Sequence, residues 1–102
     1  MSAPPGFEWD EEMNDRCFAE YAFSFEDVVT IFARKDLEHL VLGPYDTGGE
    51  QRWLAVGALP WGTVFTVVYT ARGENRRIIW VRPARRNERA EFYRHNEIEW
   101  QR

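Results

Sequence analysis

The chain has 102 residues, a formal net charge of −4, and 44% hydrophobic and 16% aromatic content, which supports one domain with one core and excludes a disordered polymer. No apolar run approaches the ~20 residues that span a bilayer. Met1 to Gly6 has neither the basic start nor the apolar centre of a signal peptide, so a cytoplasmic protein with no membrane association is expected.

Residues 1–6, rich in Pro and Gly, read as a flexible lead. Phe7-Glu8-Trp9 suits a brief strand that pins the N-terminus. Asp10 to Ala19 starts acidic, as a helix N-terminus prefers, and Trp9, Met13, Cys17 and Phe18 mark its apolar side. Cys17 is the sole cysteine. It therefore forms no intramolecular disulfide or cysteine metal cluster, and reads as a small buried hydrophobe. Ser24 is a good N-cap, and Asp27 three positions on closes a short capping box. Phe25, Val28, Val29 and Phe32 then carry a helix to about Ala33 or Arg34.

From residue 38 the pattern turns to strands. Glu38–Leu42 is the first candidate, followed by the loop signals Gly43-Pro44 and Asp46-Thr47-Gly48-Gly49. Arg52–Ala58 alternates weakly, and Leu59-Pro60-Trp61-Gly62 is a turn. Thr63–Thr70 is the strongest strand, rich in β-branched and aromatic residues. Ala71 to Asn75 forms a hairpin turn, and Arg77–Val81 is the last strand, ended by Pro83. Asn87–His95 reads as a closing helix. Residues 7–95 thus form one domain, and 96–102 a tail. Two helices, a meander of about four strands and a helix predict an α+β fold. The N-terminal helices should pack on one face of an antiparallel sheet of three to five strands. Thr63–Thr70 should be central, with Phe25, Val28, Phe32, Val67 and Ile79 buried.

The charge is unevenly spread. Residues 1–71 hold 4 basic and 12 acidic side chains, whereas residues 72–102 hold 9 basic side chains, all arginine, and 5 acidic ones. An arginine-rich end on an acidic chain suggests one localised anion-facing surface. For Arg85 to Arg94 a solvated helix with Glu partners is the equal alternative. The chain has no Gly-rich phosphate loop, no HExxH and no zinc spacing, and His39 and His95 are far apart, so neither cofactor nor metal is expected.

What remains is a set of arginines. Arg76, Arg77 and Arg82 flank the last strand, Arg72 lies in the turn before it, and Glu50 and Arg52 flank the start of another strand. Two arginines aimed at one phosphate stabilise the charge that develops there, and a nearby Glu, Tyr or His moves a proton. That suffices for RNA cleavage through the ribose 2′-hydroxyl without a metal. The plainer alternative is that strand edges simply carry charge. Alternation sets Arg77 and Arg82 on opposite faces of a regular strand, so they converge only if the strand twists, bulges or ends between them.

The series Phe7-Glu8-Trp9-Asp10-Glu11, Phe23-Ser24-Phe25-Glu26-Asp27, Glu50-Gln51-Arg52-Trp53 up to Gly57, and Tyr69-Thr70-Ala71-Arg72-Gly73 resembles the motifs of the BrnT family. So do Arg77-Ile78-Ile79, Arg82, and Glu88-Arg89 with Tyr93. The likeness covers about residues 7–93, in order and with compatible spacing. It implies a RelE-like fold, a type II ribonuclease toxin, a BrnA-like antitoxin partner and an RNA substrate. It also implies a homodimer or a toxin–antitoxin heterotetramer. On this reading Arg77 and Arg82 stabilise the scissile phosphate, Arg52, Glu50 and Tyr21 assist, and Arg72, Arg86 and Trp80 contact RNA.

Two departures stand out. The family's K-H-G reads Glu20-Tyr21-Ala22 here, and its Ser before the final A-R is Trp80. Both support an alternative: a catalytically reduced protein that acts mainly as an antitoxin-binding module. For the second, alternation sets Ile78, Trp80 and Arg82 on the sheet face opposite Ile79 and Val81. Trp80 would there meet a partner, a second copy or an RNA base, or pack under the C-terminal segment against Trp100.

Overall fold

The protein was described from a computed structural model covering residues 3–98. Strand β1 spans Phe7–Trp9, and helix α1 follows over Glu11–Tyr21. Asp10 caps α1 by accepting from the Glu12 N–H at 2.8 Å, with Glu11 and Glu12 in the first turn. The helix closes at Ala22, which sits at φ 65° and donates its N–H to the Phe18 carbonyl. Helix α2, Phe25–Val28, is a single turn, and it tightens at once into a 3₁₀ turn over Val29–Phe32. The capping box of Ser24 and Asp27 is present in both directions. The expected continuous helix to residue 33 or 34 is absent. Val28, Val29, Thr30 and Ile31 are all β-branched, and the Thr30 hydroxyl bonds back to the Asp27 carbonyl at 2.6 Å.

The strands are longer than their sequence signals. They span β2, Leu40–Thr47; β3, Glu50–Ala58; β4, Val64–Arg72; and β5, Asn75–Pro83. Gly43-Pro44 does not end β2; the strand slips register between Leu42 and Tyr45 and continues to a turn at Gly48-Gly49. The five strands lie in the order β1-β5-β4-β3-β2, so β4 is central, as Thr63–Thr70 was expected to be. The sheet is mixed rather than antiparallel, because β1 joins β5 in parallel. Glu8 stands opposite Arg77 in that pairing and bonds both Arg77 and Asn75. The pairing partner of a three-residue strand is a long-range matter that no local pattern encodes.

Helices cover both faces of the sheet, not one. On the helix-side face α1, α2 and the 3₁₀ turn bury Cys17, Phe25, Val28 and Ile31 against Ala55, Phe65, Val67, Ile78 and Val81. On the other face helix α3, Arg86–His95, buries Phe92 against Val56, Ala58, Val64 and Ala84. Cys17 is fully buried, and its thiol donates to the Val81 carbonyl at 3.4 Å. Burial pushes that thiol's pKa up to about 11, so it remains protonated. Buried Asn14 welds α1 to α2, accepting from the Phe25 N–H and donating to Glu26, each at 2.8 Å.

The expected core holds at Phe25, Val28 and Val67, while Phe32 and Ile79 are only half-buried. The β4–β5 register explains Ile79. Val68 pairs with Trp80 and Tyr69 with Ile78, which leaves Ile79 unpaired at a bulge. Ile78 takes the core place instead.

Two substitutions test this packing. A Cβ on Gly57 would lie 2.8 Å from three atoms of Ile31. Gly57→Ala should therefore lose about 1–3 kcal/mol in urea denaturation, and Ile31→Val should recover part of it. Ala22→Gly should gain about 0.5–1 kcal/mol, because glycine occupies left-handed backbone without the Cβ cost; an unchanged midpoint would mean that this corner relaxes.

Candidate active site

Sheet alternation and the bulge together sort the arginines. Arg77 pairs with Thr70 and Arg82 with Thr66. Thr66 and Thr70 are an even number apart on an unbroken strand, so the extra residue at Ile79 puts both arginines on the α3 face. They are four residues apart along β4, about 13 Å at about 3.3 Å per residue. Each has its own carboxylate partner.

Arg82 forms a two-pronged pair with Glu88 on α3, with Nη1–Oε1 at 2.8 Å and Nη2–Oε2 at 2.9 Å. Glu88 is only 3% exposed. It also accepts from the Arg85 backbone N–H at 2.7 Å and the Thr66 hydroxyl at 3.0 Å. Burial alone would raise the Glu88 pKa. The Arg82 fork, the Arg85 N–H and Thr66 outweigh that and hold it at about 2. Arg82 thus ties α3 to the centre of the sheet.

The other end of the α3 face is more open. Arg77 pairs with Glu8 at 3.2 Å, and Arg52 with Glu50 at 3.2 Å. Asn75 and Arg77 keep the Glu8 carboxyl below its ordinary pKa. Arg72 is exposed, and its charge acts on the same carboxylate. Between the sheet and the start of α3 lies a cleft of about 500 Å³, lined by Tyr45, Arg52, Leu54, Val68, Arg85 and Glu91 among others. Tyr45 stands directly across from Arg52, and Thr47 from Glu50. Arg86, in the first turn of α3, is exposed.

Four of the residues singled out from the sequence, Glu50, Arg52, Arg72 and Arg77, therefore share one end of one face. Arg82 shares the face but is held away from them. Tyr21 and Trp80 lie elsewhere: their rings meet edge-on at 6.3 Å against the helix-side core. Ile78 is thus not on the face opposite Val81, because the bulge breaks the alternation between them, whereas Trp80 pairs with Val68 beside the Val67–Val81 pair and keeps its alternation with Val81. Trp100 lies outside the described residues. Burial, and then Glu20, raise the Tyr21 pKa and keep its phenol protonated. Tyr45 and Arg85 were not foreseen as cleft residues. Tyr45 follows Gly43-Pro44, a loop signal that hides a strand position.

This fold, a mixed five-stranded sheet with three helices, is similar to one already solved. The crystal structure of the Brucella abortus ribonuclease toxin, BrnT, superposes with a TM-score of 0.57 at 21% identity, over 76% of this chain and 94% of that one. At that identity the likeness speaks for the fold. No curated protein matches the chain. A family model described as "Ribonuclease toxin, BrnT, of type II toxin-antitoxin system" matches residues 9–88. The chain belongs to this family, and a type II toxin implies an antitoxin partner.

The Glu88 pair carries a pH signature. Its folded pKa of about 2 lies below the ordinary 4.5. Its contribution is therefore complete above about pH 4.5 and is lost as pH falls towards 2. A shift of this size corresponds to on the order of 3 kcal/mol. Glu88→Gln should lower stability by about that much at neutral pH and flatten the acid limb of a urea-denaturation series. An equally steep limb in the variant would place the acid sensitivity elsewhere.

Proposed function

We propose that the chain cleaves RNA without a metal at the open end of the α3 face. The observation that supports this reading is that Arg52, which lines the cleft, and Arg77 flank Thr70 at one end of the same face, each beside a carboxylate. In the proposed reaction the ribose 2′-oxygen attacks the adjacent phosphorus and the 5′-oxygen leaves, giving a 2′,3′-cyclic phosphate. Glu50 takes the 2′-hydroxyl proton, and Tyr45, across from Arg52, gives one to the leaving oxygen. Arg52 and Arg77 swing from their carboxylates to the phosphate as charge grows there. Arg72, and Arg86 on α3, hold neighbouring phosphates. Arg82, committed to Glu88, fixes the wall of the cleft. A BrnA-like antitoxin, in a heterotetramer or beside a homodimer, is the partner that goes with this reading.

A second reading has an observation of its own. Arg77 and Arg82 are both ion-paired, and Tyr21 and Trp80, which replace the family's histidine and serine, pack on each other. A catalytically reduced protein that keeps antitoxin binding would look like this. Expression in a bacterial host without the partner gene separates the two: growth arrest with mRNA loss supports the enzyme, and normal growth with tight antitoxin binding supports the module.

The purified chain should cleave RNA in the presence of EDTA. Arg52→Ala plus Arg77→Ala should lower the rate by about 100-fold or more with stability changed by only about 0.5 kcal/mol, as for surface positions. Arg82→Ala should instead cost about 3–5 kcal/mol of stability, since it strands a buried carboxylate. Activity that disappears with EDTA, or that survives the double substitution, defeats the mechanism.

A further inference from the structure

The helix-side face at the same end of the sheet carries a second cluster, one that the cleavage chemistry does not use. Trp53 follows Arg52 and Arg76 precedes Arg77, so alternation sends the tryptophan and this third arginine through to the back of the same strands. Trp53 stacks on Tyr69 at 5.9 Å and 21°. Tyr69 is buried, whereas Trp53 is half-exposed, so the pair forms an aromatic platform with one open side. Beside it lies a hollow of about 370 Å³, lined by Trp53, Tyr69, Ala71, Gly73, Glu74 and Arg76 among others. A second hollow of about 470 Å³ adjoins it and shares Trp53 and Ala71. Small side chains at Ala71 and Gly73 leave the floor open.

Arg76 gives this slot its charge. Its guanidinium lies 4.3 Å from the Phe32 ring centre, 5.8 Å from that of Tyr69 and 6.0 Å from that of Phe7. The rings fix its direction. Unlike Arg52, Arg77 and Arg82, it makes no ion pair among the described residues. A held cation without a carboxylate, next to a flat aromatic surface, matches a group with a planar ring and an anion a few ångströms away. We propose that this slot is a nucleotide subsite: a base of single-stranded RNA stacks on Trp53, and its phosphate meets Arg76. The proposal rests on the ribonuclease reading and extends it. The strand passes over the hairpin end, with its scissile phosphate at Arg52 and Arg77 and a neighbouring base behind them. Glu74 at the rim accepts hydrogen bonds from base amino groups and disfavours bases that offer only acceptors there.

The test uses the full chain and a 2′-O-methyl hexanucleotide, which binds without being cut. Titration should shift the Trp53 indole N–H resonance, assigned through Trp53→Phe. Trp53→Leu should weaken binding about tenfold or more, and Trp53→Phe should largely preserve it. Arg76→Gln keeps the fold testable if Trp53→Leu does not fold, and should weaken binding and reduce the salt slope by about one. Wild-type cleavage in EDTA is scored separately. Cleavage with an unmoved Trp53 resonance, or with Trp53→Leu and Arg76→Gln both binding like wild type, overturns the subsite and leaves the ribonuclease reading intact. Oligonucleotide binding that depends on Trp53 without any cleavage upholds the subsite and defeats the ribonuclease reading. A Trp53 resonance that moves only with the antitoxin protein makes the slot a protein interface and overturns the proposal.

Discussion

The layout of the molecule depends on one unpaired residue. With Ile79 outside the β4–β5 register, β5 carries an even-numbered core residue, Ile78, and an odd-numbered one, Val81, on the same face. The same slip turns Arg77 and Arg82 together to the other face. A regular strand would expose one of the two core residues and drive one arginine into the aromatic core under α1. Burying an unpaired guanidinium is far more costly than a local break in the ladder. The bulge is thus what lets an arginine-rich strand sit second from the edge of a two-sided sheet.

Given that register, the Arg82–Glu88 pair explains why α3 lies where it does. Its helical surface is poor in large apolar groups, with Phe92 its fully buried side chain. A buried ion pair is not in itself a strong source of stability, because desolvation offsets much of its Coulomb energy. Here every acceptor on Glu88 is used, by two guanidinium N–H groups, a backbone N–H and a hydroxyl. That arrangement specifies position: α3 docks with Glu88 over Thr66. The cleft beside Arg52 lies between the start of α3, which this pair anchors, and strands β2, β3 and β4.

The arginines then divide by partner rather than by position in the chain. Arg82 is committed to a buried carboxylate. Arg52 and Arg77 face partly exposed carboxylates, from which exchange to a phosphate is inexpensive. Arg76 lies over aromatic rings and makes no ion pair among the described residues. An acidic chain presents its cations in this way at one end of the sheet, where the hairpins turn and backbone crowding is least. The acidic remainder of the surface discourages nucleic acid from binding elsewhere.

Local chemistry fixed much of this. The Ser24–Asp27 box, the Asp10 cap, the strand over residues 64–70 and the burial of Cys17 each depend on neighbours a few residues away or on simple hydrophobicity. The series of short motifs carried the family, because order and spacing survive where single positions do not. Tertiary structure alone decided the rest. The parallel pairing of Phe7–Trp9 with β5 joins residues 69 apart at Glu8 and Arg77, and nothing local encodes such a partner. The bulge at Ile79 is a compromise between two packed faces, invisible to a pattern of period two. The helices could be counted from the sequence but not assigned to faces, since one short amphipathic helix fits either side of a sheet. For the same reason arginine types and spacings proposed an anion site, while the identity of each arginine's carboxylate, which separates an anchor from a mobile cation, depended on contacts between elements distant in the chain.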